Sequence, residues 1–303
     1  AAMEALTRGA KLSATVTIRN GRYHGVVFDE IKAKVTGEDS VLVLDPVTGQ
    51  IGKGTINGQA RVALPSGKPA AVEATLHLKG IAVEPVFQSL GIKEPPFTGM
   101  LTLDGAIRGD GTNPQGTAPT LNGDVRVAVA NGYSLKLSPT AKIVRLLDIP
   151  RLLAGKAEVS EKGMPFDCMS GRVVIKNGLT EIQDYRMDSP IMKVTAAGTY
   201  DIPHDQYDMD MVVTPFGSNE TLLQSIPLFG RLFAGEREGF STAFFSVKGP
   251  LTDPKVIWLP AKSIEAGITG TAKLAFDLMK NIVTLGGLIG SQGKGPPSPC
   301  SAQ

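Results

Sequence analysis

Cysteine is nearly absent from this chain: Cys168 and Cys300 are the only two among 303 residues. A disulfide framework is therefore excluded as the source of stability, and a chain of this length can bury a core without one. Cys300 lies in "GKGPPSPCSAQ", a tail rich in Gly, Pro and Ser that is expected to be disordered, so no bond between the two cysteines is expected. Histidine is also scarce, and His24, His77 and His204 stand far from one another and from any second ligand type at metal spacing. No apolar run reaches the roughly eighteen residues of a membrane span, and the amino terminus lacks the charged and apolar regions of a signal peptide. The opening "AAMEALTRGAKLSATVTI" reads as the middle of a longer chain, with any anchor upstream of it. Net charge is only +2, with Lys and Arg scattered and no basic block, which argues against nucleic acid as a partner.

Catalytic signatures are missing as well. There is no Gly-x-Ser-x-Gly elbow, no dinucleotide fingerprint, and Lys53-Gly54 lacks the hydroxyl residue of a phosphate loop. Asp205, Asp208 and Asp210 lie close together, but strand alternation accounts for Asp208 and Asp210 on a wet face, and no calcium-loop glycine or closing Glu follows. No enzyme activity, no cofactor and no metal is expected.

What the chain does have is glycine, 35 residues of it, in pieces such as "GQIGKGTING" that place it at turns between short ordered segments. Those segments alternate apolar and polar residues with period 2, the mark of strands with one dry and one wet face. Val16 and Ile18 with Ala14, Leu76 and Leu78, Leu101 and Leu103, Val125, Val127 and Val129, Val194, and Met209, Met211 and Val213 fall on the dry side. One-sided strands belong to antiparallel sheets, and the turn-rich linkers make a meander the natural topology. Three stretches end in Asn-Gly, at Asn20, Asn131 and Asn177, and each is expected to be a hairpin reversal. After the third, alternation breaks at Asp184 and Tyr185, which predicts a bulge.

Helical signals are few. "AVEPVFQSLG" from Ala82 to Gly91 predicts two turns that start late because of Pro85. Further helices are expected near 139–155, at 218–235 with an apolar face of Leu222, Leu223, Ile226, Leu228, Phe229, Leu232 and Phe233, and over 260–290 as an amphipathic helix before a disordered tail at 291–303. The polar loop Gly111–Thr120 separates a first β unit, 1–110, from a second, 121–259.

A one-sided apolar sheet must pack a second layer on that face, close into a barrel, or bind apolar ligands there. The residues alone leave an ordinary sandwich or barrel core open. The succession "GIAVEPVFQSLGIKEPPFTGMLTLDGAIRGDG", "LNGDVRVAVANG", "SGRVVIKNG", "MDSP", "GTYDI" and "GPLTDPKV", spanning about Ile81 to Met279, resembles the carboxy-terminal region of AsmA-like bacterial envelope proteins, the group of AsmA, YhdP and TamB. The resemblance implies a long, twisted antiparallel sheet curled into a half-open trough with an apolar interior. It also implies a periplasmic location in a Gram-negative cell, anchorage in the inner membrane by a segment outside this chain, and passage of phospholipid acyl chains toward the outer membrane. On that reading the dry-face residues named above line the groove, and Leu222 to Phe233 form a lid or a membrane-touching helix. The alternative is an assembly factor for outer-membrane proteins that works by pairing sheet edges.

Overall fold

The computed structural model describes residues 11–23, 26–89, 92–111, 113–134, 163–190, 192–215, 243–250 and 253–259, together with Cys300. Within them thirteen strands form one antiparallel sheet in strict sequence order. They are β1 (Leu12–Tyr23), β2 (Val26–Glu38), β3 (Val41–Ile51), β4 (Gly54–Ala63), β5 (Ala70–Ala82), β6 (Met100–Gly111), β7 (Asn122–Ser134), β8 (Met164–Lys176), β9 (Leu179–Asp188), β10 (Met192–Asp201), β11 (Gln206–Pro215), β12 (Ala243–Gly249) and β13 (Lys255–Leu259). This is the expected meander, an open, curled sheet and not a sandwich. Helix α1 (Val83–Ser89) joins β5 to β6, and a single turn, α2 (Pro114–Thr117), precedes β7. β6 and β7 pair from Met100↔Ala130 to Arg108↔Asn122, so the sheet runs past the polar loop without a break. The helices expected at 139–155, 218–235 and 260–290 lie outside the described residues, as do Leu222, Leu223, Ile226, Leu228, Phe229, Leu232 and Phe233.

α1 starts earlier than Pro85 seemed to allow. It begins at Val83, which puts the proline in the first turn, where an N–H would have no intrahelical acceptor.

The three Asn-Gly pairs do two different jobs. Asn177-Gly178 is the expected reversal between β8 and β9, with φ of 51° and 78°. Asn20 and Asn131 also have positive φ, both 53°, yet they sit inside β1 and β7, which continue past them to Tyr23 and Ser134. The following glycine faces an aromatic ring on the neighbouring strand in each case: Gly21 pairs with Phe28, and Gly132 pairs with Phe166. A Cβ at either glycine would enter that ring. These pairs are therefore in-strand kinks in which Phe covers the bare backbone, a device for bending a sheet.

Glycine in general is less a turn residue here than expected. In "GQIGKGTING" only Gly52 has the positive φ of a turn, while Gly49, Gly54 and Gly58 lie in strands β3 and β4. A Cβ at Gly58 would stand 3.3 Å from the Leu76 side chain, and one at Gly49 3.2 Å from that of Ile31. In both cases the nearest atom would be a backbone carbonyl of a neighbouring strand, that of Thr75 or Glu30, so glycine lets the backbones approach closely there.

Alternation also breaks where bulges occur. Register shifts lie between Leu44 and Val47 in β3, Leu78 and Ile81 in β5, and Ile182 and Tyr185 in β9, the last at Asp184 as its broken alternation predicted. Each adds local twist and coiling.

The core belongs to the second half of the sheet. Leu101, Val129, Met169, Met187, Val194 and Val213 are each buried and follow one another across β6 to β11. Val83 of α1 belongs to the same cluster, with Val86, Phe87 and Phe97 packed against it.

Two expectations are corrected. Cys168 in β8 and Cys300 form a disulfide, with Cα atoms 5.8 Å apart and 132 residues between them in sequence. A polar, glycine-rich tail says nothing about whether its tip docks elsewhere; only the tertiary approach to β8 decides that. Asp210, expected on a wet face, is 8% exposed, flanked across the sheet by buried Ala197 and Ser246. Both faces of the sheet are covered at this point, which alternation cannot reveal.

Candidate apolar groove

Cross-strand register turns the separate dry faces into continuous rows. One row passes through all thirteen strands: Val16, Ala33, Val47, Gly58, Leu76, Gly105, Val125, Val173, Ile182, Gly198, Met209, Val247 and Val256. Every member is apolar or glycine. Strands spaced about 4.8 Å apart make such a row on the order of 58 Å long. A second row runs from Ile18 through Ile31, Gly49, Ile56, Leu78 and Leu103 to Val127 and Gly171. It continues past the β9 bulge, where a Cβ at Gly171 would stand 3.5 Å from Tyr185 Cα, into Ala196, Met211, Phe245 and Trp258.

The residues expected to line a groove all fall on these rows, or on the neighbouring row of Leu101, Val129, Val194 and Val213, but their surroundings differ. Val16 is 41% exposed and Ile18 48%, and Leu76, Leu78, Leu103 and Val127 are half-buried. Leu101, Val125, Val129, Met209 and Met211 are buried, while Val194 and Val213 are 1% and 0% exposed. The apolar face is thus exposed at its β1 edge, half-buried along the middle strands, where Ala33 and Ile81 are already buried, and packed over β10 to β12. Sequence reading missed the members on β2, β3, β4, β8, β9, β12 and β13, such as Ala33, Val47, Val173 and Val247. The bulge at Asp45 and Pro46 hides the alternation of β3, and glycine or alanine interrupts the apolar signal in several others.

The opposite face carries the charge. Arg19 donates to Glu30 at 2.9 Å, and Lys32 reaches the same carboxylate at 2.6 Å; these two cations hold Glu30 below the usual carboxylate range, Lys32 more than Arg19. Arg172 grips Asp124 with two nitrogens, lowering the Asp124 pKa and raising its own. His77 faces Asp104 directly across the β5–β6 ladder, at 2.5 Å. A hollow of about 740 Å³ is lined by the apolar residues Val43, Ile107, Val174 and Ile175 as well as by Arg61, Glu73, Arg108 and Asp124. Its charges are of both signs, so it presents no field that selects one ligand. No group of three or more potential metal ligands occurs among the described residues. Asp208 pairs with Lys248 at 3.2 Å, Asp205 accepts from the Tyr200 hydroxyl at 3.0 Å, and burial, with Asp208 nearby, raises the pKa of Asp210.

α1 joins β5 to β6. It leaves the end of β5 and lies against β2, so it reaches over the curled sheet. Among the described residues, no helix is long and apolar enough to cross a membrane.

A family model described as "YhdP protein" matches residues 7–256. No curated protein and no solved structure matches the chain.

Proposed function

The chain belongs to the YhdP family, and from that premise we propose that its apolar β-face shelters phospholipid acyl chains and conducts them, without catalysis, between the inner and outer membranes of a bacterial envelope. The observation that carries this reading is the uninterrupted apolar row across thirteen strands, exposed to its surroundings at the β1 edge. An acyl chain moved from bilayer to water costs about 0.8 kcal/mol per methylene, on the order of 12 kcal/mol for a palmitoyl tail. A continuous apolar surface removes most of that cost, and contacts without direction let the chain slide. Headgroups stay at the open side in water, so low headgroup specificity is expected. No reacting group is required by such a path.

A periplasmic location, within a protein anchored in the inner membrane, fits the same reading. The Cys168–Cys300 disulfide supports it, because such bonds persist in oxidising compartments and the periplasm is one. The test is native mass spectrometry of the purified chain together with photocrosslinking from Val16 and Ile18. Co-purified phospholipid and lipid adducts at both positions are expected; a lipid-free chain with no adducts would sink the proposal.

One observation favours a second reading, an assembly factor for outer-membrane proteins. β1 spans twelve residues without proline and pairs on one side only among the described residues, so its outer edge can accept a strand. Thr15→Pro would abolish partner capture on that reading and leave lipid binding unchanged.

A further inference from the structure

The disulfide ties the segment that carries Cys300 to β8, on the face of the sheet turned away from the apolar rows. We infer that the Cys168–Cys300 bond is a redox latch, opened and closed at Cys300 by a dithiol protein through thiol–disulfide exchange. Opening it uncovers a strip of small residues on β7 and β8 and leaves the apolar rows in place. The inference does not depend on what those rows carry.

Register places the bond. Met169, Gly171 and Val173 belong to the apolar rows, so Cys168, Ser170 and Arg172 project from the other face of β8. Their partners on β7 form the pairs Arg126↔Arg172, Ala128↔Ser170 and Ala130↔Cys168. The charged face thus gives way to two adjacent pairs of small residues. Ala130 and Cys168 are buried, although Arg126 on the same face is exposed. Small side chains buried on a face that is wet beside them need a cover. Cys300 supplies part of it, since it is bonded to Cys168 and its Sγ lies 3.7 Å from the Val129 carbonyl.

The two sulfurs are not equivalent. Cys168 is buried within a strand, whereas Cys300 is half-buried and lies outside the thirteen strands. An incoming thiolate therefore meets Cys300 first. It forms a new S–S bond to Cys300 as the bond to Cys168 breaks, and Cys168 leaves as a thiolate that takes a proton from water. The partner's second thiolate then displaces Cys300, which is protonated in turn. Two electrons pass from the partner dithiol to the chain. The partner ends as a disulfide and the chain as two thiols, with the two protons lost by one balancing the two gained by the other. Closure runs the same steps in reverse, again through a mixed disulfide at Cys300.

Two further features suit a latch. The chain has only two cysteines, so reclosure has a single outcome and needs no correction of mispaired bonds. With 132 residues between them, the local chain does not hold the sulfurs together once the bond is open. The sheet itself does not need the bond for its pairing: β8 is held by β7 from Gly123↔Ile175 to Ser134↔Met164 and by β9 from Cys168↔Asp188 to Lys176↔Leu179. On the row side of these strands, Val129, Met169 and Met187 belong to the buried cluster.

The test uses the intact oxidised chain without denaturant and reduced glutathione as the attacking thiol. Acid quenches the exchange, and free thiols are then labelled with N-ethylmaleimide in denaturant. Peptide mass spectrometry should find glutathione on Cys300 and maleimide on Cys168, with the opposite arrangement at least about tenfold rarer. Glutathione on Cys168, equal amounts at both sites, or opening only in denaturant would overturn the latch. In folded Cys300→Ser, Cys168 should react with maleimide faster than the chain unfolds, because the strip is uncovered. A reaction limited by unfolding would overturn the uncovering. Should that variant fail to fold, the wild type reduced with a phosphine gives the same readout at Cys168. Hydrogen-exchange protection of β7 and β8 should survive reduction, and its collapse to the rate of a free chain would make the bond part of the sheet and not a latch.

Discussion

The two halves of the sheet are written in the same alternating pattern and meet opposite fates. On β1 the apolar residues Val16 and Ile18 stay exposed, and on β10 to β12 Val194, Val213 and Phe245 are packed, with half-buried members of the rows between them. Period 2 therefore says which side of a strand is apolar but not what that side touches. The difference comes from partners that are remote in sequence: Val83 of α1 and Phe97 join the buried cluster, and Cys300 is tied to β8. One half holds the molecule together, and the other presents a surface.

The largest effect should come from releasing the tie. The disulfide closes a loop of 132 residues, and on chain-entropy grounds its loss costs about 5 kcal/mol. Cys300→Ser should lower the denaturation midpoint accordingly, with hydrogen exchange accelerating first on β7 to β9. Uniform acceleration from β1 to β13 would erase the distinction between the halves.

Phe245→Ala, in the packed half, should cost about 3–5 kcal/mol, because the side chain is almost wholly buried. Val16→Ala, in the open half, should cost less than about 1 kcal/mol in the same denaturant titration. Equal costs would mean that the open face is covered in solution.

Gly132→Ala should destabilise by about 1–3 kcal/mol, since its Cβ would press on the Phe166 ring and the Thr98 carbonyl. Phe166→Leu in the same background should recover part of the loss, which calorimetry can measure.

Ile18→Asp should change stability by less than about 1 kcal/mol yet remove co-purified lipid, because it puts a charge on a half-exposed apolar row. A variant that still carries lipid would break the link between the open face and the proposed function.

The smallest effect concerns Asp210. Burial raises its folded-state pKa, so the native state holds its proton more tightly than the unfolded chain does. That contribution is fully present below the ordinary aspartate range and is lost as pH rises through the raised value. Asp210→Asn should therefore flatten the stability profile above that range and raise the melting temperature at neutral pH. A profile unchanged by the substitution would show that Asp210 titrates normally.

Much of the sheet was legible because strand, face and turn are local properties. Met209, Met211 and Val213 alternate with Asp208 and Asp210, and that is enough to place a strand. The bulge at Asp184 was legible for the same reason, as an interruption of that period. The Asn-Gly pairs were only half legible. Asn20-Gly21 and Asn177-Gly178 look alike in sequence, and the aromatic ring that keeps the first inside a strand comes from Phe28 on the partner. The groove members missing from the sequence reading, Val47 and Gly58 among them, are apolar-face residues only by register, which the bulge beside Pro46 resets.

By itself, the sequence determined that this protein is a one-faced antiparallel meander with little chemistry in its side chains. Alternation and turn residues act over a few neighbours, and that is the range over which a sequence can be read directly. Only the tertiary structure decided that the faces join into a row thirteen strands long, that α1 reaches back to β2, and that the two cysteines meet. Each of those depends on register and on the approach of distant segments, whose free energy is shared among residues far apart in the chain.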